Sequence, residues 1–269
     1  MTSKFEQHNG RIVGGGPETL VLAHGYGTDQ KAWDRILPWA RERFRVVMFD
    51  LAGAGPDGAA TYDPARHATL HGYADDLLAI LRDAGVERCR YLGHSVSGMV
   101  GMLAAITRPG LFDRMAFIAP SPRYLNDAAT GYVGGFEQSD LDGLYDGMSA
   151  NFSAWTAGFA PAVVGVPDHP AVDEFARTMF SMRPDIALRT ARAIFQSDFR
   201  AALPRFSVPA MILQSRADLA VPRCVADYLH DRWPSSTLEV MDAEGHLPHM
   251  TAADEVVHAL ERWLVRTAA

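Results

Sequence analysis

Three side chains far apart in the chain have the types and settings that together make an alcohol reactive: Ser95 in YLGHSVSGM, Asp218 in SRADLAVP and His246 in AEGHLPH. A serine hydroxyl is a weak nucleophile at neutral pH. It needs a base to take its proton, a third group to hold that base, and donors for the oxyanion that attack creates. Ser95 sits in Gly93-His94-Ser95-Val96-Ser97, so the glycine expected at the fifth place of a G-x-S-x-G elbow arrives one residue late, at Gly98. Taken alone, a serine among small residues is an ordinary turn residue. Its surroundings argue otherwise, because an apolar run precedes it and the helical stretch MVGMLAAITR follows, which is the strand-turn-helix order of an elbow.

Asp218 follows the run PAMILQS and His246 follows TLEVMDA, so in a parallel sheet both loops leave the same edge as the elbow. His249 and two other carboxylates, Asp242 and Asp50, compete for these roles. His246 is preferred because Gly245 lets the chain turn the imidazole back over the sheet edge, whereas Pro248-His249 carries onward. Asp50 belongs to the loop after a different strand, and Asp242 is too near His246 in sequence to support it from across the sheet. Oxyanion donors are expected from the backbone N–H groups of Tyr26, in HGYG after TLVLAHG, and of Val96 after the nucleophile. The displaced glycine has a steric account: Ser97, Gly101, Ala104 and Ala105 make one helix face of small residues that can lie against the sheet. Serine is small enough for that place, with a hydroxyl free to bond back to a carbonyl of the preceding turn.

The elements that must position these residues are short apolar runs separated by longer amphipathic segments: TLVLAHG (19–25), RVVMFD (45–50), RCRYLGHS (88–95), RMAFIAP (114–120), PAMILQS (209–215) and TLEVMDA (237–243). Most read as fully buried strands, and the alternation predicts an α/β fold: a mostly parallel sheet with helices on both faces. ADDLLAILRDAG (74–85) reads as a covering helix with acidic residues in its first turn, and Val256, Leu260, Trp263 and Leu264 recur at helical spacing near the end. Residues 124–197 break the alternation with helical stretches rich in aromatics and Met. They are expected as a helical lid inserted between a first core segment, 1–123, and a second, 198–269.

A chain of 269 residues with 48% hydrophobic residues holds a sizeable core, and a net charge of −7 without a basic block argues against nucleic acid. No stretch approaches a membrane span and no apolar leader opens the chain, so a cytoplasmic protein is expected. Cys89 and Cys224 read as small buried hydrophobes. GAGPDG (53–58) matches a dinucleotide fingerprint, but AATYDPARH behind it opens no helix for a pyrophosphate. GGGP (14–17) reads as a hairpin turn. His67 and His71 have no third ligand, so no metal and no cofactor are expected.

Longer matches are far more specific than the triad. HGYGTDQKAW, TLHGYADDLLAIL, GHSVSGMVGMLAA, SPRYLND, GGFE, NFSAWTAGFAP, FSMRPDI and EGHLPHM resemble the α/β-hydrolase superfamily. Within it they resemble the bacterial RsbQ-type stress regulators and the plant karrikin and strigolactone receptors. The resemblance runs from about Val21 to Leu264. It implies a triad of Ser95, Asp218 and His246, oxyanion amides on Tyr26 and Val96, and a four-helix lid over an apolar pocket lined by Tyr26, Tyr124, Trp155, Phe159, Leu219 and Ala220. Tyr26 stands where phenylalanine is common. The implied function is hydrolysis of a small, largely apolar ester or butenolide-like lactone, or else sensing of such a molecule with slow turnover. A sensory-domain phosphatase is the partner that the RsbQ resemblance implies, and the protein is expected as a monomer or weak dimer. The Ala- and Arg-rich composition reads as bacterial, so the plant receptors' ubiquitin-ligase partners are not carried over.

Overall fold

The six apolar runs become six strands of one seven-stranded sheet in the computed structural model, which describes residues 2–265. Met1 and residues 266–269, at the ends of the first and last expected segments, lie outside the described residues. The strands are β1 (Arg11–Val13), β2 (Thr19–Ala23), β3 (Arg45–Met48), β4 (Cys89–His94), β5 (Phe112–Ile118), β6 (Ala210–Ala217) and β7 (Ser236–Glu244), in the order β1-β3-β2-β4-β5-β6-β7. All neighbours run parallel except the β1–β3 pair. From β2 the chain goes outward to β3 and then returns to the other side of β2 as β4. Adjacent carboxyl ends whose connections leave in opposite directions open a crevice, and here it lies between the loops after β2 and β4.

Both faces of the sheet are covered. In β2, Val21 and Ala23 join one apolar core while Leu20 and Leu22 join the other. On the first face lie α3 (Leu70–Asp83), α4 (Val96–Thr107) and α9 (Arg223–Arg232); on the second lie α2 (Leu37–Arg43) and α11 (Ala253–Leu260). A short α1 (Lys4–Gln7) precedes β1, and α10 (Pro248–Thr251) precedes α11. Between β5 and β6 four helices are inserted: α5 (Gln138–Ala150), α6 (Phe152–Val164), α7 (Ala171–Ser181) and α8 (Pro184–Phe195). The two stems of this insertion are pinned together by a bridge between Arg123 and Asp198 and by their 2.8 Å ion pair. No helix among the described residues is long and apolar enough to cross a membrane.

Several expectations are corrected. GGGP makes no hairpin, because β1 pairs with β3 rather than β2 and the segment crosses over the chain instead. Gly14 and Gly16 lie so close to the Arg41 and Arg43–Phe44 backbone that a Cβ on either would come within 2.5 Å of a carbonyl oxygen. α3 starts at Leu70, a turn before the expected first residue, so Asp76 sits inside the helix. There it is buried against His67, Arg66 and Lys4. His67 donates from Nε2 to Asp76 at 2.8 Å and accepts the Asp63 amide on Nδ1 at 2.9 Å, leaving no lone pair for a metal. β7 is only partly buried because it is an edge strand. Cys89 is buried, but Cys224 is exposed in the first turn of α9.

Candidate active site

β4 ends in a sharp turn onto α4, and Ser95 sits on it with φ 56° and ψ −119°, a region that costs an L-residue about 1–3 kcal/mol. The strain is held from both sides, since Ser95 N donates to Ile118 O and Gly98 N donates to Ser95 O, both at 2.8 Å. Gly93 makes the turn sterically possible: a Cβ there would stand 2.8 Å from the Ser97 carbonyl oxygen and 2.6 Å from the Tyr91 ring. Ser97 is fully buried, and its hydroxyl donates to His24 O at 2.5 Å. The partner is thus the loop after β2 rather than the preceding turn of its own helix, because the first turn of α4 lies against that loop. Gly101 lies flat on Tyr91, where a Cβ would come 2.5 Å from the ring.

The loops after β6 and β7 bring Asp218 and His246 to the same edge. Asp218 Oδ1 accepts the amides of Ala220 at 2.8 Å and Val221 at 3.1 Å, which fixes the carboxylate and points Oδ2 at His246. His246 Nδ1 donates to that oxygen at 2.8 Å, so Nε2 carries a lone pair, and the Ser95 hydroxyl lies 2.8 Å from it. Gly245, at φ 83°, provides the turn before His246. The His246 backbone is clamped as well: its N–H donates to Val163 O at the end of α6 at 2.9 Å, and its carbonyl accepts from His94 Nε2 at 2.8 Å.

Val96 is the first residue of α4, where a helical N–H has no intrahelical acceptor and the helix dipole favours negative charge. Tyr26 lies in the turn after β2, across the crevice. Neither amide is engaged by a backbone carbonyl among the described residues. A cavity of about 30 Å³ opens beside Ser95, its wall including Tyr26, Tyr124, Phe159, Phe175, Ala220 and His246. Burial raises the Tyr124 phenol to about 12, and its hydrogen-bonding neighbour is Ser95, so it faces Ser95 as a neutral hydroxyl.

Of the side chains expected at the pocket, Tyr26, Tyr124, Phe159 and Ala220 line this cavity, whereas Trp155 and Leu219 do not. Trp155 stacks behind Phe159 with ring centres 4.6 Å apart. Leu219 is 64% exposed, because the turn around the Asp218 carboxylate brings Ala220 inward and leaves its neighbour outside. Val163, Phe175, Ile194, Phe195 and Leu247 also line the cavity, and sequence reasoning missed them. For the first four the signal was the apolar stripe along α6, α7 and α8, but a stripe does not say which of its members face a cavity, and Leu247 lies in the loop directly after His246. A larger depression of about 540 Å³ lies at the seam of α7 and the core, around the Arg35–Glu174 pair, and its lining offers the hydroxyls of Thr28, Thr178 and Ser181 but no histidine to act as their base. Chemistry rather than size therefore locates the candidate site at Ser95.

Residues 18–253 match the family model described as the alpha/beta hydrolase fold. The chain is 50% identical to the Karrikin insensitive 2 receptor CA of Petunia hybrida, over 96% of this chain and 95% of that one. It is 46% identical to a strigolactone esterase of Pisum sativum, over 97% of each. Among solved structures, a hydrolase from Oleispira antarctica superposes with a TM-score of 0.94 at 34% identity, covering 98% of this chain and 97% of that one.

Proposed function

The chain belongs to the α/β-hydrolase fold family, and on that premise we propose that it is a serine hydrolase cleaving a small, largely apolar carboxylic ester or lactone. One observation carries the reading: the unbroken chain from Asp218 Oδ2 through His246 to Ser95 Oγ, with both links at 2.8 Å. As Ser95 Oγ attacks the carbonyl carbon, His246 Nε2 takes its proton and the Asp218 carboxylate stabilises the imidazolium. The carbonyl oxygen, now negative, is received by the Tyr26 and Val96 amides, each such donor contributing about 2.7–4 kcal/mol to the transition state. His246 returns the proton to the leaving alkoxide, and the acyl group stays on Ser95. A water then gives its proton to Nε2 as it attacks the acyl carbon, and the bond to Ser95 Oγ breaks as His246 returns that proton to Oγ, which releases the carboxylic acid and restores the hydroxyl. With a lactone, acid and alcohol leave as one molecule.

The pocket's chemistry supports an apolar substrate, and its size supports motion of the inserted helices as a lid. A cavity of about 30 Å³ holds two waters or so. Esters therefore enter by displacing part of the lid. The test compares wild type with Ser95→Ala on p-nitrophenyl acetate. Loss of at least about 10³-fold in kcat is expected, and equal rates in the two proteins would sink the reading.

A second reading, a small-molecule sensor with slow hydrolysis, is favoured by the receptor name of a relative that is half identical over nearly the whole chain. The partner in that case is a sensory-domain phosphatase. Lactone turnover near the ~10 s⁻¹ of ordinary enzymes favours metabolism. A stoichiometric burst followed by far slower release, together with phosphatase recovered in pull-downs from stressed cells, favours sensing.

A further inference from the structure

Behind the Ser95 cavity lies a second one, of about 20 Å³, bordered by Leu51, Ala52, Ala54, Met182 and Thr190. Tyr26 and Ile194 belong to the walls of both cavities, so these two side chains are what stands between them. The second chamber is apolar. Among the hydroxyls of its lining residues, those of Tyr73 and Thr190 lie 3.2 Å apart and share a hydrogen bond. Tyr26 is fastened in place, its hydroxyl donating at 2.9 Å to Ala187 O in the first turn of α8. Burial holds the phenol protonated, so it remains a donor.

We propose that Tyr26 is a gate, and that the chamber behind it takes the distal hydrocarbon chain of an acyl group longer than the Ser95 cavity holds. The assignment to the acyl side follows from the proposed triad chemistry, on which this inference rests. The leaving alcohol must stand next to His246 Nε2 to receive its proton, and His246 lines the first cavity but not the second. The chamber is instead lined by Tyr26 and Val96, the residues whose amides face the oxyanion. When the phenol swings off Ala187, the space of its ring joins the two cavities into one. Because the latch acceptor is on α8, the same bond ties chamber access to the position of that helix. A phenylalanine at this place closes the wall without a latch.

The test uses p-nitrophenyl acetate, butyrate, hexanoate and octanoate, which share one leaving group. Tyr26→Phe removes the latch, and the octanoate-to-acetate ratio of kcat/KM should rise between about 2- and 12-fold, the worth of one hydrogen bond. Ala54→Leu fills the chamber from its far wall, and the same ratio should fall about 10-fold or more. Ratios within two-fold of wild type in both variants, with Ser95-dependent hydrolysis intact, would overturn the gate. A binding readout separates this failure from failure of the hydrolase reading: thermal stabilisation by octanoate relative to acetate requires no bond cleavage. It should be larger in wild type and in Tyr26→Phe than in Ala54→Leu, and equal stabilisation in all three counts against the chamber whatever the rates.

Discussion

Ser97 decides whether the elbow is damaged or merely different. In the fold its hydroxyl is a fully buried donor to His24 O, so it joins α4, the helix that follows Ser95, to the loop that carries Tyr26. Ser97→Gly removes that bond and leaves one carbonyl with less company, a cost of about 0.5–1.5 kcal/mol. Activity should stay within a few fold. Ser97→Val adds bulk where α4 lies on the sheet and strips the His24 carbonyl of its partner. Overpacking and desolvation each cost about 1–3 kcal/mol. Urea unfolding should show a loss of roughly 2–5 kcal/mol, with activity falling alongside, and a stable, active valine variant would remove the packing account. The small size required at this place was legible in the i, i+4, i+7 spacing. The hydroxyl's acceptor was not, because it lies 73 residues away in the loop after β2. His94 was hidden for the same reason, since nothing local shows that its Nε2 holds the His246 carbonyl.

Between elements, the junction that matters most joins the inserted helices to the His246 loop. Val163 O accepts the His246 N–H, and α6 then ends in Gly165, which lies directly on Gly245. A Cβ on Gly245 would stand 1.7 Å from Val164 O at a φ of 83°, so neither space nor backbone allows a side chain there. Gly245→Ala must push the loop off α6 and carry the imidazole with it. A displacement of about 1 Å in a catalytic group costs on the order of 10²-fold, so kcat should fall by at least that much. Far-UV circular dichroism should stay native, and normal kinetics in this variant would show that the junction yields freely. The sequence pointed to Gly245 for its turn but not to its contact, which depends on where α6 stops. Strands show the same division. β2 to β6 are apolar runs because both their faces are covered, whereas β1 is three residues of largely exposed edge and carries no such run. Its antiparallel pairing with β3 turned the expected GGGP hairpin into a crossover.

At the scale of the whole molecule, the site rests on buried neutral histidines that tie folding stability to pH. His249 is fully buried, and neither ring nitrogen has a hydrogen-bond partner among the described residues. It is wedged between Trp33 at 4.7 Å and His94 at 4.4 Å. Burial, with smaller contributions from His246, His24 and Arg35, lowers its pKa from 6.5 to about 3, and burial likewise lowers that of His94. A histidine whose folded pKa lies below its unfolded one takes up a proton on unfolding throughout the window between the two. Stability therefore rises with pH in that window, is fully present above about 6.5 and is lost as pH falls toward 3. Each such group contributes a slope of up to ~1.4 kcal/mol per pH unit. His249→Leu breaks no hydrogen bond and nearly conserves volume, so at pH 7.5 it should cost less than about 1.5 kcal/mol. At pH 5 the variant should recover up to about 2 kcal/mol relative to wild type, because one proton fewer is bound on unfolding. Urea midpoints at pH 7.5, 6 and 5 measure this directly, and parallel pH slopes for the two proteins would mean that His249 is already charged in the folded state. The acid-side loss of the wild type then begins with His249 and His94, and carboxylates whose pKa is lowered in the fold, such as Asp76 and Asp198, add to it at lower pH as they take up protons.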